Sequence, residues 1–201
     1  MRTFVFRSCR RAVLVGAAAV AVVALAACSG GGSTGTGTSS APSSAAVDPS
    51  LKVPAPLPTQ ALLSDPCSAV TDAQLAGVGL APPGQVSEGP PKLCGWNSTA
   101  TAQNRIDVGA VPQNNGGISD IYSQKSREAY FEPVTVNGYP GVFADIQDGR
   151  ASGSCTLWVG ITDQLAFSVV TSLTTGPNKS NPCPKAQQLG EAMIAHLKGT
   201  A

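Results

Sequence analysis

Histidine and acidic side chains are the first places to look for catalytic chemistry in this sequence of 201 residues. His196 is the only histidine, so a Ser-His-Asp arrangement would have to use it, and no Gly-x-Ser-x-Gly elbow is present. Its place at the edge of the apolar face of a predicted helix indicates a boundary residue. Asp145 and Asp148 are interpreted as acidic residues beside a turn. A hydrolase that uses a pair of carboxylates from distant segments is an alternative that the sequence leaves open. We therefore predict no catalytic residue, no metal site and no cofactor.

Cysteine chemistry points to disulfides in the segment that should fold. Four cysteines lie there: Cys67, Cys94, Cys155 and Cys183. An even number of cysteines in an exported domain indicates two disulfides. Four reduced, buried thiols are the alternative, whereas zinc is disfavoured because no Cys-x-x-Cys pair and only one histidine are present. Three pairings are possible, and the sequence does not choose among them.

The first 27 residues have the pattern of a bacterial export signal. Four arginines precede an uncharged apolar run over residues 12–27, which is shorter than the ~20 residues of a membrane-spanning helix. The run ends in Leu25-Ala26-Ala27-Cys28, which resembles the bacterial lipobox. In such signals the cysteine thiol receives a diacylglycerol and the chain is cut just before it. We predict a lipidated Cys28, the alternatives being an ordinary signal peptide or a single membrane anchor.

The remainder divides by composition into a tether and one domain. Residues 28–60 are rich in Ser, Gly, Thr and Pro, so they bury too little surface to fold and should form a flexible tether. Residues 61–199 are long enough for a single domain with its own core. Removing residues 1–27 lowers Lys+Arg from 13 to 9 against 12 Asp+Glu, which leaves no basic stripe for nucleic acid. The mature protein is expected to be a monomer on the extracytoplasmic face of the cell membrane.

Hydrophobic spacing predicts the elements of the domain. Thr71 and Gln74 form a capping box, residues 118–130 have the period of an amphipathic helix, and Asn137-Gly138 is a turn signal. Two apolar runs, 155–161 and 165–171, should form a hairpin at the centre of a sheet. A last helix over 181–198 should pack on that sheet. The predicted fold is therefore α+β, an antiparallel sheet of about five to six strands with helices on one face and two disulfides.

The order of several short motifs resembles an actinobacterial lipoprotein family known as domain of unknown function 3558. The motifs are Asp65-Pro66-Cys67, Leu75, Gly79-Leu80, Cys94-Gly95-Trp96, Gly138-Tyr139-Pro140, Cys155 and Asn181-Pro182-Cys183 with Ala186 and Leu189. The resemblance implies an envelope lipoprotein, and it supplies no activity and no catalytic residue to transfer.

Two tryptophans are the candidate ligand contacts. Trp158 should project from its strand to the face opposite Leu157, where it would either pack under a second layer or line an open concavity, and Trp96 is the second candidate. Three functional hypotheses follow. The first is a non-catalytic module of the cell envelope that binds a protein, lipid or glycan. The second is an envelope lipid or glycolipid carrier, and the third is an envelope-polymer hydrolase.

Overall fold

The computed structural model describes residues 48–199 of the chain. The predicted signal, the predicted lipidation site Cys28 and most of the predicted tether lie outside these residues. The described part is built on one sheet of seven strands in the order β1-β2-β3-β7-β6-β5-β4, with every neighbouring pair antiparallel. The strands are β1 Gln85–Ser87, β2 Leu93–Asn97, β3 Arg105–Ala110, β4 Tyr130–Val136, β5 Tyr139–Asp145, β6 Ser154–Thr162 and β7 Leu165–Ser172.

The predicted hairpin occupies the middle of the sheet. Its strands β6 and β7 pair from Ser154 opposite Ser172 to Thr162 opposite Leu165. Alternate β6 side chains, those of Leu157, Val159 and Ile161, have no exposed surface. Because side chains alternate across a strand, these residues define the core face, and Trp158 projects to the other face.

Helices cover both faces of the sheet. Residues 48–199 contain four α-helices: α1 Gln60–Ser64, α2 Asp72–Gly77, α3 Ile118–Ser123 and α4 Cys183–Gly199. Helix α4 lies on the core face and buries one stripe of side chains: Ala186, Leu189, Met193, Ile194 and Leu197. Helix α3 packs on the opposite face through Ile118 and Ile121, in contact with Val142 and Ala144 of β5. The α+β fold is thus confirmed, with more strands than predicted and a second covered face that the prediction did not include.

The helix expected over residues 118–130 is shorter than predicted. It ends at Ser123, a 3₁₀ turn follows at Lys125–Arg127, and β4 begins at Tyr130. Tyr130 pairs with Asp145 across the sheet and is buried, so strand pairing outweighs the helical pattern there. Helix α2, in contrast, begins with the predicted capping box, in which Thr71 and Gln74 each accept the other's free amide.

Two disulfides join elements that are distant in the chain, and their presence confirms the prediction of two disulfides. Cys67–Cys94 ties the 3₁₀ turn Pro66–Ala69 to β2, and Cys155–Cys183 ties β6 to the first residue of α4. The three-dimensional structure thereby selects one of the three pairings.

The segment 48–58, here called the N-terminal strap, packs on the domain rather than extending away from it. The amide of Leu57 donates to the carbonyl oxygen of Ile161 at 3.0 Å, and the Tyr139 hydroxyl donates to the carbonyl oxygen of Ala55 at 2.8 Å. Three strap side chains are buried: Leu51, Val53 and Leu57. These side chains find apolar surface on the domain that the composition of the segment does not reveal.

Candidate functional site

A cleft opens on the sheet face opposite α4. Its floor consists of Thr156 and Trp158 of β6 and Val170 of β7, which share a face because Thr156 stands opposite Val170 in the hairpin. Helix α3 covers the neighbouring part of this face and contributes Ile121 as one wall. We call this concavity the Trp158 cleft.

The cleft has a ligand-sized volume of about 480 Å³ and a mixed lining. Its apolar side chains are those of Val111, Ile121, Ile146, Trp158 and Val170. Its polar side chains are those of Gln113, Asn114, Gln124, Glu128, Asp145 and Thr156. Small-molecule sites in proteins are concave and mostly apolar, and they carry a few convergent polar groups. The Trp158 cleft is concave in the same way, but its lining is more polar, with six polar side chains beside five apolar ones.

Trp158 presents carbon surface to the cleft. Its ring nitrogen Nε1 donates a hydrogen bond of 2.9 Å to the carbonyl oxygen of Ala144, so the one polar atom of the ring is already paired within the protein. The residue is half-buried and packs against the cluster formed by α3 and β5. A ligand in the cleft would therefore meet an apolar, electron-rich ring rather than a hydrogen-bond donor.

Trp96, the second tryptophan proposed as a ligand contact, lies in the core. It is only 1% exposed, and it belongs to the buried cluster beneath α4. A side chain placed at Gly84 would collide with the Trp96 ring nitrogen and with the sulfurs of Cys67 and Cys94. Trp96 thus packs beside the first disulfide, out of a ligand's reach.

Two carboxylates line the same cleft. Asp145 accepts hydrogen bonds from the Thr156 hydroxyl at 2.7 Å and from the Gln147 amide at 3.2 Å. Burial raises the pKa of the Glu128 carboxyl, the negative charge of Asp145 raises it further, and Arg127 partly opposes both effects. Within residues 48–199 neither carboxylate forms a salt bridge, in contrast to Asp107, Glu132 and Asp148 of the same sheet region.

Backbone pairing brings these two acids together. The Ala129 amide donates to the carbonyl oxygen of Asp145 at 2.8 Å, which places Glu128 beside the end of β5. Asp145 was predicted to be an acidic residue of a turn, and Glu128 was not among the predicted site residues. No spacing rule could have found the pair, because its members are joined only through the β4–β5 ladder.

Asp148 does not belong to the cleft. Its carboxylate binds the guanidinium of Arg150, whose hydrogen bonds lower the pKa of Asp148 to about 2. Arg150 also contacts Glu132 and lies 4.3 Å from the centre of the Tyr130 ring. Asp148 is thus engaged in a surface ion pair, separate from Asp145.

Two further cavities of the described chain contain none of the predicted site residues. One of about 280 Å³ lies near the start of α4 and is lined by residues that include Asn104, Ile106 and Lys185. The other, of about 400 Å³, lies between the strap and β4. His196 is half-buried on α4 and lines none of the three. Over residues 48–199 there is no group of three or more His, Cys, Asp or Glu side chains that could hold a metal ion.

No helix between residues 48 and 199 is both long and apolar enough to cross a membrane. The fold and the cleft together define the class of protein. It is a disulfide-stabilised α+β domain built on one seven-stranded antiparallel sheet, and a cleft opens on the sheet face opposite its long helix. The chain belongs to the family described as Protein of unknown function (DUF3558), whose model matches residues 23–196. No curated protein and no solved structure matches the chain.

Proposed function

We propose that this protein is a lipoprotein anchored through Cys28 to the outer face of the cell membrane, where its domain binds a ligand without catalysis. The anchor is supported by the basic start, the short apolar run and Leu25-Ala26-Ala27-Cys28. The family match begins at residue 23, so this motif lies inside the matched region. Two acyl chains on one residue would hold the protein stably, since a single chain gives only reversible attachment.

The observation that carries the binding role is the Trp158 cleft. It combines an aromatic floor, apolar walls and several polar side chains in a volume typical of ligand sites. The carrier hypothesis needs a large apolar cavity between sheet and helices. In the described chain the surface between α4 and the sheet is instead filled by side chains with no exposed area, among them Leu157, Leu189 and Met193.

An envelope-polymer hydrolase is the second candidate, because Glu128 and Asp145 line one cleft and burial together with the charge of Asp145 raises the pKa of Glu128. Carboxylates whose pKa values are pushed apart divide the acid and base roles in glycoside hydrolysis. New reducing ends released from cell-wall polysaccharide by the wild-type chain, and lost in Glu128→Gln, would replace the non-catalytic proposal by this one.

Replacing Cys28 tests the anchor. We expect Cys28→Ala to abolish incorporation of a labelled fatty acid and to release the protein from the membrane fraction, because the variant has no thiol to accept the diacylglycerol. The measurement is metabolic labelling followed by fractionation. Cys9→Ala is the matched control, since Cys9 lies in the leader that would be removed, and this variant should label fully. A Cys28→Ala protein that still labels and still sediments with membranes would refute the anchor.

Replacing Trp158 tests the cleft. We expect 2-phenylethanol, a neutral probe with an aromatic body, to shift the NMR signals of Trp158 and Ile121 in a saturable way. Trp158→Ala should weaken this binding at least tenfold, since burying an aromatic side chain against a ligand contributes about 1.5–3 kcal/mol. Leu63→Ala is the control, because Leu63 is a large exposed apolar residue outside the cleft. Equal affinities in wild type and Trp158→Ala would contradict a ligand site at the cleft.

A further inference from the structure

We propose that the Trp158 cleft selects a ligand that carries a positively charged amine or ammonium group on an apolar body. This inference rests on the proposed binding role and adds the chemistry of the ligand to it. It follows from three features of the lining: its charges, the hydrogen bonds that its acids lack, and the exposed surface of Trp158.

The charge of the lining has one sign. Its ionisable side chains are Glu128 and Asp145, and no lysine, arginine or histidine lines the cleft. Four acids of the described chain form ion pairs with lysine or arginine, as in the Arg105–Asp107 pair and the Arg150–Asp148 pair. The two cleft carboxylates form no such ion pair, and the charge of Arg127 only partly offsets the effects of burial and of Asp145 on Glu128.

The two carboxylates also have unused acceptor capacity. Asp145 accepts two hydrogen bonds, although an ionised carboxylate has about four acceptor sites. The Glu128 carboxylate accepts no side-chain or backbone hydrogen bond from residues 48–199, and burial and Asp145 together raise its pKa. A cationic ligand would relieve the repulsion between the two acids and fill their free acceptor sites. An anionic ligand would add to the repulsion.

The aromatic floor favours the same ligand. Because Trp158 Nε1 is bonded to Ala144, the ring offers only its carbon surface and π electrons. Tryptophan is the best aromatic partner for a cation, and aromatic sites recognise ammonium groups in this way. Apolar neighbours such as Val170 and Ile121 would cover the uncharged body of the ligand. A neutral polyol could form hydrogen bonds with the side-chain amides of the lining, but it would leave the charges of both carboxylates unpaired.

A matched pair of probes tests the charge preference in the purified full chain. The probes are 2-phenylethylammonium and 2-phenylethanol, which share an aromatic body and differ in charge. At low salt we expect the ammonium probe to bind about tenfold tighter by NMR titration of the Trp158 signal, and the difference to shrink as salt is added. Glu128→Gln and Asp145→Asn should each reduce the preference. Glu88→Gln, which makes the same change in charge at the β1 edge of the sheet, should leave it intact.

The pH dependence of the affinity for the ammonium probe is an independent test of the charge preference. The ammonium probe stays charged throughout acid pH, so a change in its binding reports on Glu128, whose charged neighbours are Asp145 and Arg127. Protonating Glu128 removes negative charge, so the preference should fall as the pH falls. Because the pKa of Glu128 is raised, this loss should begin at a higher pH than for an ordinary glutamate.

The outcomes separate the two proposals. Equal affinity for both probes, or a preference that survives both Glu128→Gln and Asp145→Asn, would overturn the selectivity for cations while leaving the binding role of the cleft in place. Failure of both probes to give a saturable shift of the Trp158 signal would overturn the binding role itself, and the inference with it.

Discussion

The double variant Cys155→Ala/Cys183→Ala is expected to lose about 3.5 kcal/mol of unfolding free energy. The bridge closes a loop with a sequence separation of 28 residues, and the chain-entropy model assigns about this value to a loop of that length. The physical reason is that the crosslink removes extended conformations from the unfolded chain. The loss should appear as a lower urea midpoint, because the slope of the unfolding transition reports mainly the surface exposed.

The second disulfide provides the matched comparison. Cys67–Cys94 has a sequence separation of 27 residues, so Cys67→Ala/Cys94→Ala should cost nearly the same. The bridges join different elements, α4 to β6 and a 3₁₀ turn to β2, so the two losses should be close to additive in the quadruple variant. A loss of less than about 1 kcal/mol for either pair would contradict the loop-closure account.

Gly153→Ala is expected to cost about 3 kcal/mol, the second large effect. Gly153 has a φ of +99°, and a side chain there would overlap the carbonyl oxygen of Leu173. The left-handed backbone costs an L-residue roughly 1–2 kcal/mol, and displacing a packed neighbour costs about 1–3 kcal/mol more. The neighbour is fixed backbone, because the Leu173 amide donates to the Gly153 carbonyl oxygen at 3.0 Å and holds β7 against this turn.

Gly138→Ala separates the two contributions to this cost. Gly138 has a similar φ of +88°, but no heavy atom lies within 4 Å of the position that a side chain would take. It should therefore lose only the backbone part, about 1 kcal/mol. Equal losses for Gly153→Ala and Gly138→Ala in urea unfolding would show that the contact with Leu173 does not matter.

Local signals in the sequence predicted the elements whose partners are close in the chain. The capping box of Thr71 and Gln74, the Asn137-Gly138 turn and the β6–β7 hairpin all depend on residues a few positions apart. Helix α4 was recognisable because its apolar residues repeat with the helical period over many turns. Each of these signals is local, so a pattern of spacing is sufficient to detect it.

Elements without a pattern of their own were not predicted. Strand β1 was not predicted, because its three residues, Gln85–Ser87, are too few to show a strand pattern and are all exposed. It is a strand only because β2 offers it a hydrogen-bonding edge. The N-terminal strap was assigned to the tether for a similar reason, since its few apolar side chains are buried only by surface that distant strands create.

The cysteines illustrate which features follow from the sequence and which require the tertiary structure. By itself the sequence determined the family, the α+β fold class and the expectation of two disulfides, because these depend on residue types, their order and their local spacing. Only the tertiary structure decided which cysteines pair, and only it placed Glu128 and Asp145 beside Trp158. Disulfide partners and cleft walls come from segments far apart in the chain, so they meet only through the strand pairing and helix packing of the folded domain.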